Sequence, residues 1–275
     1  MINTKIYKSV YTLAEKLMEA ANKDDQEVFD GLYAELKAVC IDNEHSEKDH
    51  PEQWETLADF TEDLEAALVG YEKALKIKPN YAEIHNNMGN VLKQSKDVVE
   101  AINCYKKAIE FKPNYTDAYF NLANALHDQG ELEAAVGYFQ QTIKDLPRHT
   151  KAYFNMSVAL HEMGDLDAAI LGYEKALQLQ PEYPEAWNNL GNSFRDRGDL
   201  AKAKESFRSA IRINPEYSTP YWNLSGTETQ ISASKSWLKK CLEVDENYQH
   251  AYLMLAALDY YEGDQRDYLK IIIFF

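Results

Sequence analysis

The chain has 275 residues, long for one ordinary core but suited to a row of small units that share cores with their neighbours. Its 45% hydrophobic and 27% charged side chains are those of a folded protein, and with only 11 glycines and 8 prolines long helices fit better than many tight turns. A formal charge of −16, from 45 acidic and 29 basic side chains, opposes phosphate backbones and anionic lipid and so excludes nucleic acid and membrane surfaces as natural partners.

Cys40, Cys104 and Cys241 are odd in number and far apart, which predicts free buried thiols in a reducing compartment and no disulfide frame. The opening MINTKIYKSV lacks an apolar stretch of signal-peptide length, and the longest apolar run is Ile271 to Phe275. The chain therefore reads as soluble and cytoplasmic.

In chain order, Ile6, Val10, Leu13 and Leu17 form one apolar stripe and Val28, Leu32, Leu36 and Val39 a second. Residues 4–42 are thus expected to form a helical hairpin, assigned as an amino-terminal cap over 1–47, with self-association as the alternative role.

From there the sequence repeats. Pro79, Pro113, Pro147, Pro181 and Pro215 are separated by 34 residues four times in succession. An apolar stretch precedes most of them (Tyr71 to Leu75, Tyr105 to Ile109, Tyr173 to Leu177, Phe207 to Ile211), so a helix ends at each proline. In the first helix of each unit one apolar column is His85, Tyr119, Tyr153, Trp187 and Tyr221, and another, three residues on, is Met88, Leu122, Met156, Leu190 and Leu224. The next column is small (Gly89, Ala123, Ser157, Gly191, Ser225), and it faces Ala67, Ala101, Ala135, Ala169 and Ala203 from the second helices, so that the two helices can approach closely. Gly130-Glu131, Gly164-Asp165 and Gly198-Asp199 mark the turns between them: a glycine free to adopt a left-handed backbone, then an acid suited to a helix start.

The ends of the array depart from this pattern. Around Trp54, Glu55 falls where a small residue is expected and the turn glycine is missing, so this unit reads as a divergent first repeat with an ordinary second helix, Leu64 to Lys78. After Pro215, Cys241-Leu242 matches Ala210-Ile211 at 31 residues rather than 34, with Ser234 in the alanine position, which predicts a tighter turn between the helices. Gln249 to Tyr261 and Gln265 onward read as a repeat cut short. The expected division is 1–47, a repeat array of about six units over 48–247, and a terminal partial repeat over 248–275.

The unit with Trp187, Leu190, Gly191, Phe194, Ala203, Phe207 and Pro215 resembles the tetratricopeptide repeat, and the resemblance runs from about Pro51 to about Tyr261. It implies an all-α fold, a right-handed superhelical solenoid of stacked antiparallel helix hairpins, and a non-catalytic scaffold for protein–protein interaction. A single hairpin cannot bury its apolar face alone, so the units must stack.

Opposite the core columns the first helices carry Asn87, Asn121, Asn155, Asn189 and Asn223, one per unit, thickened three residues on by Asn90, Asn124 and Asn192. In tetratricopeptide arrays this face lines the concave groove, and the column resembles the asparagine ladder of the O-linked N-acetylglucosamine transferases, which implies a grip on the backbone of an extended peptide. A carboxamide offers a donor and an acceptor whatever the ligand's side chain. Asparagine is also a poor mid-helix residue that buries no core from such a column. The alternative is that the column descends from duplication of one unit and caps local backbone.

Phe120 and Phe154 beside the ladder, with Trp222, are either apolar anchors for a ligand or packing against the next repeat. Glu83, Asp117, Lys151 and Glu185, with Asp128, Glu162 and Asp196, make the face acidic, so a neutral or basic segment is the expected ligand. The carboxylate clamp of chaperone-tail-binding tetratricopeptide domains matches Asn90, Asn121 and Lys151, but Asn86 and Asn155 stand where lysine and arginine belong.

His127-Asp128 and His161-Glu162 raise a metal site, but packed helices about 8 to 10 Å apart keep equivalent side chains from sharing an ion. No phosphate loop or activated nucleophile is apparent, so neither cofactor nor catalysis is expected. Two further readings are a substrate-recruiting arm of a larger transferase, motivated by the apolar ending IIIFF, and a self-assembling scaffold.

Overall fold

The computed structural model describes residues 4–46 and 49–260, which form fifteen α-helices and no strand. Ile6's packing and the apolar end from Gln265 to Phe275 lie outside the residues described. The chain divides between Glu131 and Leu132 into two compact units.

The first unit contains α1 (Thr4–Asn22), α2 (Gln26–Asn43), α3 (Pro51–Asp59), α4 (Leu64–Ile77), α5 (Ala82–Gln94), α6 (Val98–Phe111) and α7 (Thr116–Asp128). Antiparallel neighbours α3 and α4, then α5 and α6, pack as hairpins. The two amino-terminal helices share one core with them: Leu13, Leu17, Leu36 and Cys40 pack with Trp54, Ala58, Tyr71 and Ile84. In the second predicted stripe Leu36 is buried and Leu32 and Val39 half-buried, whereas Val28 is exposed.

The second unit contains α8 (Leu132–Asp145), α9 (Thr150–Glu162), α10 (Leu166–Leu179), α11 (Pro184–Asp196), α12 (Leu200–Ile213), α13 (Ser218–Ser225), α14 (Ile231–Val244) and α15 (Gln249–Tyr260). Its main core joins Ala169, Tyr173, Leu190, Phe194, Ala203 and Phe207, and a further cluster joins Tyr221, Leu238, Cys241, Met254 and Leu258.

The small-residue columns have a direct steric cause. A Cβ built on Gly89 would stand 2.6 Å from Cε1 of Tyr105, and one on Gly191 2.5 Å from Cε1 of Phe207, so an aromatic ring of the second helix lies flat over the glycine of the first. Helix starts are capped by the predicted Asp165 and Asp199, and also by Asp97, each accepting from the backbone N–H three residues on at 3.2 Å. Gly130, Gly164 and Gly198 have φ of +80°, +82° and +92°, while the equivalent turn before Asp97 uses Lys96 at φ +65°.

The first repeat is divergent in a different way from the one expected. The small residue against its second helix is Ala58, not Glu55: a Cβ on Gly70 would meet Ala58 Cβ at 2.9 Å, and Tyr71 Oη donates to Asp59 at 2.6 Å as Tyr105 does to Asn90 at 2.8 Å. Trp54 thereby takes the place of His85. The 34-residue register fails here because α3 has 9 residues against 13 in α5, so the lock slides three residues toward α4.

The short interval after Pro215 has the same origin. The turn was expected to tighten, but the connection Gly226–Gln230 is longer than Arg197–Asp199, and it is α13 that shrinks, to 8 residues against 13 in α11. Residues are lost from the end of the first helix, beyond the contacts that hold the hairpin.

Candidate functional site

Each first helix is seated by its apolar column, and that seating fixes the opposite face. Four of the five column residues donate to the carbonyl of the proline that ended the preceding helix: His85 Nε2 to Pro79 at 2.8 Å, Tyr119 Oη to Pro113 at 2.9 Å, Trp187 Nε1 to Pro181 at 2.9 Å and Tyr221 Oη to Pro215 at 3.2 Å. Histidine, tyrosine and tryptophan share one column because each carries an N–H or O–H at the reach this bond requires.

In the first unit Asn121 Nδ2 donates to Asn86 Oδ1 at 3.0 Å, and Asn86 Nδ2 donates to Asn87 Oδ1 at 3.4 Å. Asn87 in turn hydrogen-bonds Asp59. Asn90 is committed to the Tyr105 hydroxyl, and Asn124 Nδ2 donates to the Phe120 carbonyl at 2.9 Å. Phe120 is half-buried. Asn121 Oδ1 is left without a partner among the described residues.

The acids of this face differ in state. Asp128 is paired with Lys93 at 2.9 Å, and the Lys112 ammonium at 2.6 Å from Glu83 holds that carboxyl below its ordinary range. Burial lifts the Glu55 carboxyl to about 7 against a counteracting hydrogen bond with Tyr81, and burial likewise raises Asp59.

The second unit repeats the carboxamide chain. Asn223 Nδ2 donates to Asn188 Oδ1 at 2.8 Å, Asn188 Nδ2 donates to Asn189 Oδ1 at 3.3 Å, and Asn189 hydrogen-bonds Tyr173. Asn223 is buried, and its Oδ1 accepts from Arg195 at 3.4 Å. Asn155 is half-buried, whereas Lys151 and Glu162 are exposed. His161 Nε2 lies 2.9 Å from Asp196 Oδ2. Asn192 Oδ1 is buried without a partner among the described residues: where Tyr105 serves Asn90, this repeat has Phe207.

Phe154 packs on Tyr183 and Tyr173, with ring centroids 4.9 and 5.8 Å apart, and Trp222 packs on Tyr248 at 6.1 Å, so within this unit both aromatics seat the following repeat. Sequence reasoning met Asn86 only as a missing clamp lysine and passed over Asn188, yet both hold the ladder from the side. Their signal is the doublet Asn-Asn at 86–87 and 188–189.

All three cysteines are buried, and burial raises their thiols, Cys40 to about 12 and Cys241 to about 11, so they are weak nucleophiles. Among the described residues no cluster of three His, Cys, Asp or Glu could hold a metal ion, and no helix is long and apolar enough to cross a membrane.

The tetratricopeptide repeat models match residues 61–96, 89–130 and 158–194, then 184–217, and 118–151. The chain belongs to the tetratricopeptide repeat family. Similar tetratricopeptide structures include MamA, 24% identical over 62% of this chain and 94% of that one, with a TM-score of 0.57. MamA from Desulfovibrio magneticus RS-1 is 20% identical over 62% and 96%, with a TM-score of 0.56. YrrB, described as a TPR protein with an unusual peptide-binding site, is 18% identical over 66% and 95%, with a TM-score of 0.56. At these identities the likeness is one of fold. No curated protein matches the sequence.

Proposed function

We propose that this tetratricopeptide protein is a non-catalytic scaffold whose first-helix faces hold an extended, neutral or basic segment of another polypeptide. The observation that carries the reading is Asn121: its amide group is fixed on Asn86, which leaves Oδ1 as an oriented acceptor for a ligand N–H. An acceptor already held in place loses little entropy on binding, and each such bond adds about 0.5 to 1.5 kcal/mol net, so affinity has to be built from several. The charge preference is supported by Asp117 and Glu185, exposed acids on the same faces that form no ion pair among the described residues. The family and the peptide-binding description of YrrB favour the same class of partner.

The test is an affinity capture with mass spectrometry that compares the wild type with Asn121→Ala/Asn155→Ala. The variant should keep its helical circular dichroism and lose the captured partners, and the wild-type complexes should weaken as salt rises. An unchanged partner set in the variant defeats the proposal.

A further inference from the structure

Between α10, α11 and α12 of the second unit lies an open cleft of about 420 Å³, away from the asparagine column. Its floor is apolar. Leu177 comes from α10, and Trp187, Leu190 and Phe194 come from one side of α11. The indole N–H of Trp187 is already bound to Pro181, so the ring offers its face rather than a donor. Room exists because Ser206 is small and turns its hydroxyl back onto the Lys202 carbonyl at 2.9 Å, at the position that α8 fills with Tyr138.

The rim carries two exposed carboxylates, Glu174 and Glu205, and neither forms an ion pair among the described residues. The Arg197 guanidinium, paired with Asp167 at 2.7 Å, lies 5.2 Å from the centroid of Phe194, and the cation among the lining residues is Lys202. It lies 3.7 Å from Asp199, and its ammonium stands 5.3 Å from the centroid of Phe194. The aromatic floor thus already attracts a cation from this chain itself, while the two rim acids stay unneutralised.

We infer that this cleft is a second recognition site, distinct from the asparagine face, for a large apolar side chain flanked by lysine or arginine on a partner polypeptide. The apolar group covers the Trp187 ring and the Leu177 edge, and the flanking cation meets Glu174 and Glu205. Acidic flanks would face two uncompensated carboxylates and be rejected.

The test titrates three capped tripeptides, Lys-Phe-Lys, Lys-Ser-Lys and Glu-Phe-Glu, into the isotope-labelled full chain and follows the indole N–H resonance of Trp187. Lys-Phe-Lys should shift it saturably with a midpoint on the order of 1 mM, and the other two should act roughly tenfold more weakly. Glu174→Lys/Glu205→Lys should weaken the Lys-Phe-Lys response about tenfold. If circular dichroism shows that this variant misfolds, Glu174→Gln/Glu205→Gln replaces it with the same expected direction. Asn121→Ala/Asn155→Ala should leave the response intact, which separates the cleft from the asparagine face. No shift at Trp187, a shift indifferent to peptide charge, or loss of the shift in the asparagine variant would overturn the inference.

Discussion

Trp187 hands its indole N–H to the carbonyl of Pro181 at 2.9 Å, so the residue that ends one helix is fastened by the first turn of the next. Other repeats of this chain make the same bond from a different donor, as Tyr119 and Tyr221 show. Trp187→Phe should therefore cost about 1 to 2 kcal/mol, the worth of the bond plus the orphaned carbonyl, while Trp187→Tyr recovers part of it. Urea denaturation of the pair decides the matter, and equal losses would mean that ring volume, not the donor, is what counts.

His85 performs the same task with a titratable ring. Because a carbonyl only accepts, Nε2 carries the proton, and Nδ1 is buried without a partner among the described residues. Burial accordingly lowers its pKa, with a smaller opposing contribution from the Pro79 bond. The unfolded chain then binds the extra proton more readily than the folded one. This contribution is complete above about 6.5 and is lost as pH falls toward the folded value. His85→Tyr, the residue used at 119, should flatten the fall in stability between about pH 7 and about pH 5. Parallel melting curves for wild type and variant across that range would refute the assignment.

The interior of the array was legible in the sequence because its packing positions recur at 34 residues: a small residue under the second helix, alanine opposite, proline at the stop. Glu55 and the tighter turn after Pro215 were misplaced for one shared reason. A fixed period cannot show where inside a unit residues have been removed, and both end repeats remove them from the first helix. The candidate site was legible as a column of asparagines, but not as a network. Asn86 and Asn188 act at a spacing of one repeat plus one residue, on Asn121 and Asn223, and only the packed helices bring that spacing together.

The turn before α6 shows a local cost that the other turns avoid. Lys96 sits at φ +65°, where its neighbours in the array use glycine. A left-handed conformation costs an ordinary residue roughly 1 kcal/mol, and glycine loses part of that gain through its freer unfolded chain. Lys96→Gly should stabilise the protein by about 0.5 kcal/mol, and Gly164→Lys should destabilise it by about 1 kcal/mol. A destabilised Lys96→Gly would indicate that the lysine side chain contributes more than its backbone costs.

Glu55 stands in the column that Asn86 and Asn188 occupy, once the three-residue slide of the first repeat is allowed for. Burial, opposed by the Tyr81 bond and reinforced by Asp59 and Glu52, lifts its carboxyl from 4.5 to about 7. The folded state therefore holds a proton that the unfolded state releases, so stability falls as pH climbs from about 4.5 to about 7 and stays reduced above it. Glu55→Gln keeps an acceptor for Tyr81 without the charge. It should raise stability on the order of 1 kcal/mol at about pH 8 and have almost no effect at about pH 4.5. Chemical denaturation at the two pH values checks this, and an equal change at both would show that the charge is not the cause.

Asn192 and Phe207 give the sharpest test of how closely one repeat predicts another. In the repeat that contains Asn90 the ring over the glycine is Tyr105, and its hydroxyl satisfies the asparagine at 2.8 Å. In the repeat that contains Asn192 the ring is Phe207, stacked over Gly191 at nearly the distance that Tyr105 keeps from Gly89, and the Asn192 oxygen is buried and unpaired among the described residues. Where valine replaces this asparagine, at Val158, the Tyr173 hydroxyl finds Asn189 instead, so the hydroxyl position can be accommodated in this unit as well. Phe207→Tyr should therefore stabilise the chain by about 1 kcal/mol, contrary to the usual penalty for adding a polar atom to a core. In an Asn192→Ala background the same change should turn destabilising, because the new hydroxyl then has no acceptor. A double-mutant cycle measured by urea denaturation isolates that coupling, and a value near zero would mean that the two repeats, for all their shared register, do not place these atoms alike.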